Sequence, residues 1–308
     1  MERKFPEQFT DRYEAIIPDF ELFLNVLVTP LKQSFRINTI KASKQEVLSQ
    51  LSDIKLIPIL WCDIAFRIQE KINIGQLAEH KSGLMYSQEA VSMIPALILD
   101  PKPDEKILDI TAAPGSKTTQ IAAIMNNHGL IVANDVSRNR ISALISNIER
   151  MGVMNTVVTS LPGQRIGYLA PDYFDKVLLD APCSLEGTIR NTPEVLSDWK
   201  EAKIKRLSKL QKGLINSAYK SLKPGGILIY STCTFAPEEN EAVIDYLLRK
   251  YPDTSVEPIK LEDLKTRPSV LDWGDAHFDE SIKNAIRIYP QDNDTEGFFV
   301  AKIRKSLR

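Results

Sequence analysis

The sequence predicts an α/β protein, a parallel sheet covered by helices on both faces, preceded by a small α+β unit. Three observations carry this. From about residue 100, short apolar runs alternate with segments of helical periodicity. The residues that bear chemistry stand directly after those apolar runs, where open α/β sheets bind ligands. The first 80 residues lack the alternation.

In chain order, a helical opening over 10–28 leads to "SFRINTI", "KQEVLSQLS", "KLIPIL" and "FRIQE", an α+β pattern. A boundary near "GQLAEHKSGLMYSQEA" divides the chain into expected units 1–80 and 81–308. In the second unit, "KILDI" (106–110), "LIVAND" (130–135), "TVVTS" (156–160), "KVLLD" (176–180) and "GILIYS" (226–231) read as buried strands, rich in Ile, Leu and Val. Segments 117–126, 137–151 and 201–222 read as the intervening helices.

Composition narrows the class. The chain has 308 residues, 43% hydrophobic and 26% charged, with a net charge of −1, so no global field attracts a polyanion. No apolar run approaches the roughly 18 residues of a membrane span, and "MERKFPEQFTDRYEAIIPDF" lacks a signal-peptide core. Three widely spaced cysteines without a CxxC pair argue against both a disulfide framework and a zinc site. A cytoplasmic monomer is the expectation. Cys62, in "LWCDIAF", reads as a small buried hydrophobe.

The loop "LDITAAPGSKT" after the first strand is neither a P-loop nor a GxGxxG fingerprint. Its alanines and Gly115 allow close backbone approach to a ligand, although a plain strand-to-helix turn would look the same. Asp135, about 20 residues after Gly115, ends the next strand, where an acid accepts hydrogen bonds from ribose hydroxyls. Together they suit S-adenosylmethionine. Asp180 ends a further strand, and Ala181-Pro182 turns Cys183 toward the same crevice, while Cys233 follows the fifth strand. Asp as a turn-former and Cys as a buried hydrophobe are the plainer alternatives. The chemistry of cytosine supplies a reason for the trio. Carbon 5 becomes nucleophilic only after a thiolate adds to carbon 6, with an acid near ring nitrogen 3. Spacing leaves open which thiol attacks.

These stretches resemble the Sun (Fmu, Nol/Nop) family of RNA cytosine-5 methyltransferases. The resemblance rests on "LDITAAPGSKTTQIA", "ANDVSRNRI", "VLLDAPCSLEGTIRNTPE", "LKPGGILIYSTCTFAPEENEAVI" and "RIYPQDNDTEGFFVAKIRK", within 84–304, with "SFRINTIK" a weaker match. It implies a Rossmann-like class I methyltransferase sheet acting on tRNA or ribosomal RNA. It implies Cys233 as nucleophile, Cys183 as the thiol that assists release, Asp180 as the acid on the cytosine ring and Lys117 as its orienting partner. For the cofactor it implies Ala112, Ala113, Pro114, Gly115, Ser116, Lys117, Thr118, Asp135, Arg140 and Asp180. The basic stretch 200–212, with Lys203 and Arg206, and Arg36 and Lys41 in the first unit, are candidate phosphate contacts, although basic runs are commonly plain solvated faces. Two departures stand out. Thr111 replaces the family's usual cysteine, and Ser160, Leu161 and Pro162 stand where an adenine-binding acid is expected, which leaves that task to backbone groups or Ser160. No appended RNA-binding domain is expected after "GFFVAKIRK". A non-catalytic RNA-binding or assembly protein on the same fold is the alternative.

Overall fold

The computed structural model describes residues 5–307; residues 1–4 of the first expected unit and residue 308 of the second lie outside the described residues. The expected opening helix is two helices, α1 (Glu7–Glu14) and α2 (Phe20–Leu27). The break falls at Pro18 and Asp19: Pro18 has no amide to donate, and Asp19 adopts left-handed backbone at φ 54°. There follow β1 (Ser34–Ile37), α3 (Lys44–Gln50), β2 (Leu56–Ile59), β3 (Cys62–Ile68), α4 (Ala78–Lys81) and β4 (Met85–Ser87). The four strands form one antiparallel sheet in the order β2-β3-β1-β4. Ser43 and Glu46 close a capping box at the start of α3, satisfying amides a helix start leaves free.

After α5 (Ile94–Leu99), the large sheet is built from β5 (Lys106–Asp109), β6 (Leu130–Asn134), β7 (Thr156–Thr159), β8 (Phe174–Asp180) and β9 (Leu222–Thr232). Helices α6 (Ser116–Ile124), α7 (Arg138–Met151), α8 (Gly163–Leu169) and α9 (Glu201–Ser221) connect them, and α10 (Glu241–Lys250) follows β9. The short strands β10 (Ser255–Glu257), β11 (Arg267–Pro268), β12 (Asp272–Trp273) and β13 (Ala276–His277) lead to β14 (Ile286–Ile288), α11 (Pro290–Asn293) and β15 (Phe298–Arg304). Strands β5 to β9 are mutually parallel, as expected. The whole sheet is mixed rather than parallel, because β15 adds to β9 antiparallel, with Phe299 opposite Thr232, and β14 pairs with β15. Its order is β11-β14-β15-β9-β8-β5-β6-β7. Strand order therefore reverses at β5, the position where a crevice opens.

Apolar side chains alternate between two faces. Ile107, Ile131, Leu178 and Ile229 pack under α5, α6 and α7, whereas Leu108, Val177, Leu179 and Leu228 pack under α9 and α10. A third core joins α1 and α2 to the segment after β8: Phe9, Tyr13 and Phe23 pack with Ile189, Trp199, Phe235 and Tyr289. Among the described residues no helix is long and apolar enough to cross a membrane.

Candidate active site

Beyond the carboxyl ends of β5, β6, β8 and β9 lies a cavity of about 730 Å³, with Leu210 and Leu214 of α9 on one wall. Of the residues expected from sequence, Ala113, Asp135, Arg140, Asp180, Cys183 and Cys233 line it, together with Thr111. The volume falls in the range of small-molecule sites, roughly 300–1,000 Å³.

One end is built to hold a cofactor. Gly115 takes φ 105°, and a Cβ there would lie 2.9 Å from Leu144 Cδ1, so the turn needs glycine. The buried Asp135 carboxylate accepts from Ala113 N (3.2 Å) and Ser137 N (2.9 Å), with Arg140 3.4 Å away. A carboxylate has about four acceptor positions, so two remain for ribose hydroxyls. The Arg140 guanidinium also donates to Ala113 O, which clamps loop to helix. The other expected loop residues face elsewhere. Thr118 Oγ1 donates to Asp109 Oδ2 (2.7 Å), Pro114 O accepts from Asn147, and Ser116 O accepts from Arg36.

Ser160 does not line the cavity; Pro162, Gly163 and Gln164 do. The segment "LPGQRIG", given no element from sequence, begins α8 at Gly163, and Asn134 holds its entry by accepting from Leu161 N and donating to Leu161 O. The Gln164 side chain makes no hydrogen bond among the described residues, so its carboxamide offers both a donor and an acceptor. Carboxylate, small-residue loop and free carboxamide fit the ribose, amino-acid chain and heterocycle of S-adenosylmethionine.

The other end carries the thiols. Cys183 Sγ and Cys233 Sγ lie 3.2 Å apart and share a hydrogen bond. The Cys233 thiol is held well above its ordinary value, first by that bond, then by burial and by the negative groups around it, Asp180 and Glu296 included. Lys117 Nζ donates to Asp180 Oδ2 at 2.7 Å and to Ser92 Oγ, while Ser231 Oγ donates to Asp180 Oδ1 (2.7 Å). Thr111, at the departure from the family motif, donates to Asp180 O (2.8 Å). The expected trio and Lys117 therefore meet at one crevice.

Buried polar groups that the sequence did not single out fix this geometry. Glu186, fully buried, accepts from Tyr13 Oη, Trp199 Nε1, Thr234 Oγ1 and Phe235 N. Asn240 accepts from Thr232 Oγ1 and donates to Thr234 O, so it spans Cys233. Glu239, pushed up to about 7 by burial, accepts from Ser184 N. The available signal was the cluster of acids beside each thiol, in "CSLEG" and "APEENE".

The four candidate RNA contacts part company. Arg36 is fully buried, with its guanidinium on Gln88 Oε1, Ser116 O and Thr119 Oγ1, and burial lowers it to about 10. It braces the first sheet against α6 and is not on a surface, because its partners lie 52 to 83 residues ahead. Lys41 is exposed, but its ammonium is tied to Ser82 O and Arg150 O. Lys203 and Arg206 lie on α9, and neither side chain has a partner among the described residues. Cys62 packs in a small apolar cluster, its thiol pushed up to about 11 by burial.

Comparison with known proteins matches residues 96–304 to the family of 16S rRNA methyltransferase RsmB/F, and residues 5–90 to the N-terminal domain of 16S rRNA methyltransferase RsmF. A tRNA (cytosine(49)-C(5))-methyltransferase of Pyrococcus abyssi is 47% identical over 98% of this chain and 97% of its own length. The ribosomal RNA small subunit methyltransferase F of Vibrio campbellii is 41% identical over 97% of this chain, which spans 63% of that enzyme. A methyltransferase homolog from Pyrococcus horikoshii superimposes with a TM-score of 0.87 at 38% identity, covering 98% of this chain and 95% of the other.

Proposed function

The chain belongs to the RsmB/F family of RNA cytosine-5 methyltransferases, and on that premise we propose that it methylates its RNA through a covalent adduct on Cys233, with S-adenosylmethionine as donor. The convergence of both thiols and Asp180 on one cavity, with Lys117 bonded to Asp180, carries the reading. When bound, S-adenosylmethionine supplies the methyl group from its sulfonium. Asp135 and the loop around Ala113 hold its ribose and amino-acid chain, and Gln164 meets the adenine in place of the absent acid.

Cys233 adds through sulfur to carbon 6 of the cytosine, which makes carbon 5 the nucleophile. Asp180, oriented by Lys117 and Ser231, meets ring nitrogen 3 as charge builds there. Cys183 assists release from its position beside Cys233. The cytosine must leave its stack to reach strand ends. Lys203 and Arg206 on α9 are the proposed phosphate contacts, and RNA affinity through them falls as salt rises. Identity to the Pyrococcus abyssi enzyme makes tRNA the first substrate to assay, and bisulfite sequencing of tRNA and 16S rRNA treated with the protein locates the base.

Two variants test the assignment. Cys233→Ala should abolish methyl transfer, and wild-type rates in that variant would exclude Cys233 as nucleophile. Cys183→Ala should still attack but accumulate a denaturation-resistant protein–RNA complex on gels; no such species would remove the release role.

A further inference from the structure

One buried acid beside the thiols has no part in these steps. Glu296 lies just before β15, and Phe299 of that strand pairs with Thr232, the neighbour of Cys233. Phe298 packs in the same apolar cluster as Cys233, and Glu296 stands two residues before it. Two backbone hydrogen bonds fix the spacing: Gly297 N donates to Gly187 O (2.9 Å), and Gly187 N donates to Cys233 O (2.8 Å). The ring of Phe298 lies 5.7 Å from Lys117 Nζ.

Glu296 is 9% exposed. Its Oε1 accepts from Asn191 Nδ2 at 2.6 Å, and no hydrogen bond is made to Oε2 among the described residues. Its neighbour Glu89 is fully engaged. Glu89 Oε2 accepts from Val91 N (2.7 Å) and Ser92 N (3.4 Å), and Oε1 accepts from Glu296 N (3.3 Å). Burial, and then the charge of Glu89, push the Glu296 carboxyl up to about 8, against the opposing pull of Lys117 and Arg190. Glu296 is in turn one of the negative groups that hold the Cys233 thiol up, and Asp294 is paired with Arg190 at 2.7 Å. A base is most effective when its proton affinity lies near the working pH.

The reaction requires such a group. After methyl transfer, carbon 5 carries both the methyl group and its original hydrogen, and carbon 6 is still bonded to sulfur. We propose that Glu296 is the base that takes the carbon 5 proton and so frees the product from Cys233. The C5–H bond breaks with its proton passing to Oε2, its electron pair becomes the C5=C6 double bond, and the C6–S bond breaks to return Cys233 as thiolate. This rests on the covalent mechanism proposed above.

The test uses full-length protein and unmodified transcripts of tRNA and 16S rRNA carrying cytidine tritiated at carbon 5. In single turnovers, Glu296→Gln should incorporate methyl no more slowly than wild type, since it also removes a negative charge that disfavours the Cys233 thiolate. Its tritium release should be slowed on the order of 10²-fold or more, the usual worth of a positioned acid or base, with methylated covalent complex accumulating. Tritium release in Glu296→Gln at the wild-type rate overturns the inference, and so does a loss of methyl incorporation itself. Tritium release from wild-type methylated adduct formed beforehand at one pH and then shifted, so that methyl transfer is already complete, should rise with pH and level off near pH 8, and Glu89→Gln, which removes the like charge, should move that limb to lower pH. A limb that stays in place in Glu89→Gln also counts against Glu296. Transcripts with 5-fluorocytidine, which has no carbon 5 proton to lose, separate the two readings. If wild type forms no Cys233 adduct on them, the covalent mechanism fails; if it does, only the role of Glu296 is in question.

Discussion

Cys233, the proposed nucleophile, is held in its unreactive form. The hydrogen bond with Cys183, burial and nearby carboxylates all favour the protonated thiol. Only the thiolate attacks, so its fraction grows about tenfold per pH unit below the thiol's own value. Single-turnover methyl transfer should therefore climb steadily from pH 7 to pH 9 without levelling, measured as methyl incorporation with quench-flow. A rate that is flat across that window would show that the thiolate is already formed at neutral pH. At this scale the sequence was readable where chemistry is local. Asp180 and both thiols follow strands whose ends must converge, whatever the details of the fold. Arg36 was misread because a basic residue in a short strand looks solvated until Gln88 and Thr119 arrive from elsewhere in the chain. Glu186 and Glu296 escaped for the same reason, since Tyr13 and Asn191 stand 173 and 105 residues away from them.

Between residues and fold, the loop after β8 is set by how closely it meets the turn before β15. A Cβ on Gly187 would lie 2.2 Å from Gly297 O and 3.0 Å from Cys233 O, both backbone atoms that cannot rotate aside. Gly187→Ala should therefore push the loop that bears Cys183 away from the turn that bears Cys233. Methyl transfer should fall by about 10²-fold, the usual cost of a misplacement near 1 Å, with far-ultraviolet circular dichroism unchanged. Activity within twofold of wild type would mean the loop adapts without moving the thiols. Parallel strands were legible because burial on both faces leaves continuous apolar runs such as "KVLLD". The antiparallel return of β15 was not, since "FFVAKIR" has the texture of any buried strand and direction leaves no mark on composition. The helix α8 was not assigned from sequence, because Pro162 and Gly163 are poor helix formers within a helix; here they stand at its start, where proline's missing amide has no consequence.

For the molecule as a whole, the first helices are joined to the catalytic loops as well as to their own unit. Tyr13 donates to Glu186, Arg12 pairs with Glu238, and Phe9 and Phe23 pack against Trp199 and Phe235. Tyr13→Phe keeps the ring but removes one donor from a buried carboxylate, a loss of about 1.5–3 kcal/mol for a bond to a charged group. Urea titration should show the midpoint lowered with an unchanged slope; an unmoved midpoint would mean that Trp199, Thr234 and the Phe235 amide satisfy Glu186 without it.

The same ties have a consequence in time. Pro18 accepts from Gln291, 273 residues later, and Arg67 donates to Asn293, 226 residues later. A ribosome adding about 5–20 residues per second would make Pro18 wait roughly 14–55 s for that partner. The aromatic face of α1 and α2 stays uncovered until Trp199 and Phe235 have been added. The turn at Gly297 that meets the loop after β8 is thus among the last parts of the chain to form, and a nascent protein shows a chaperone its hydrophobic beginning long before that turn is made.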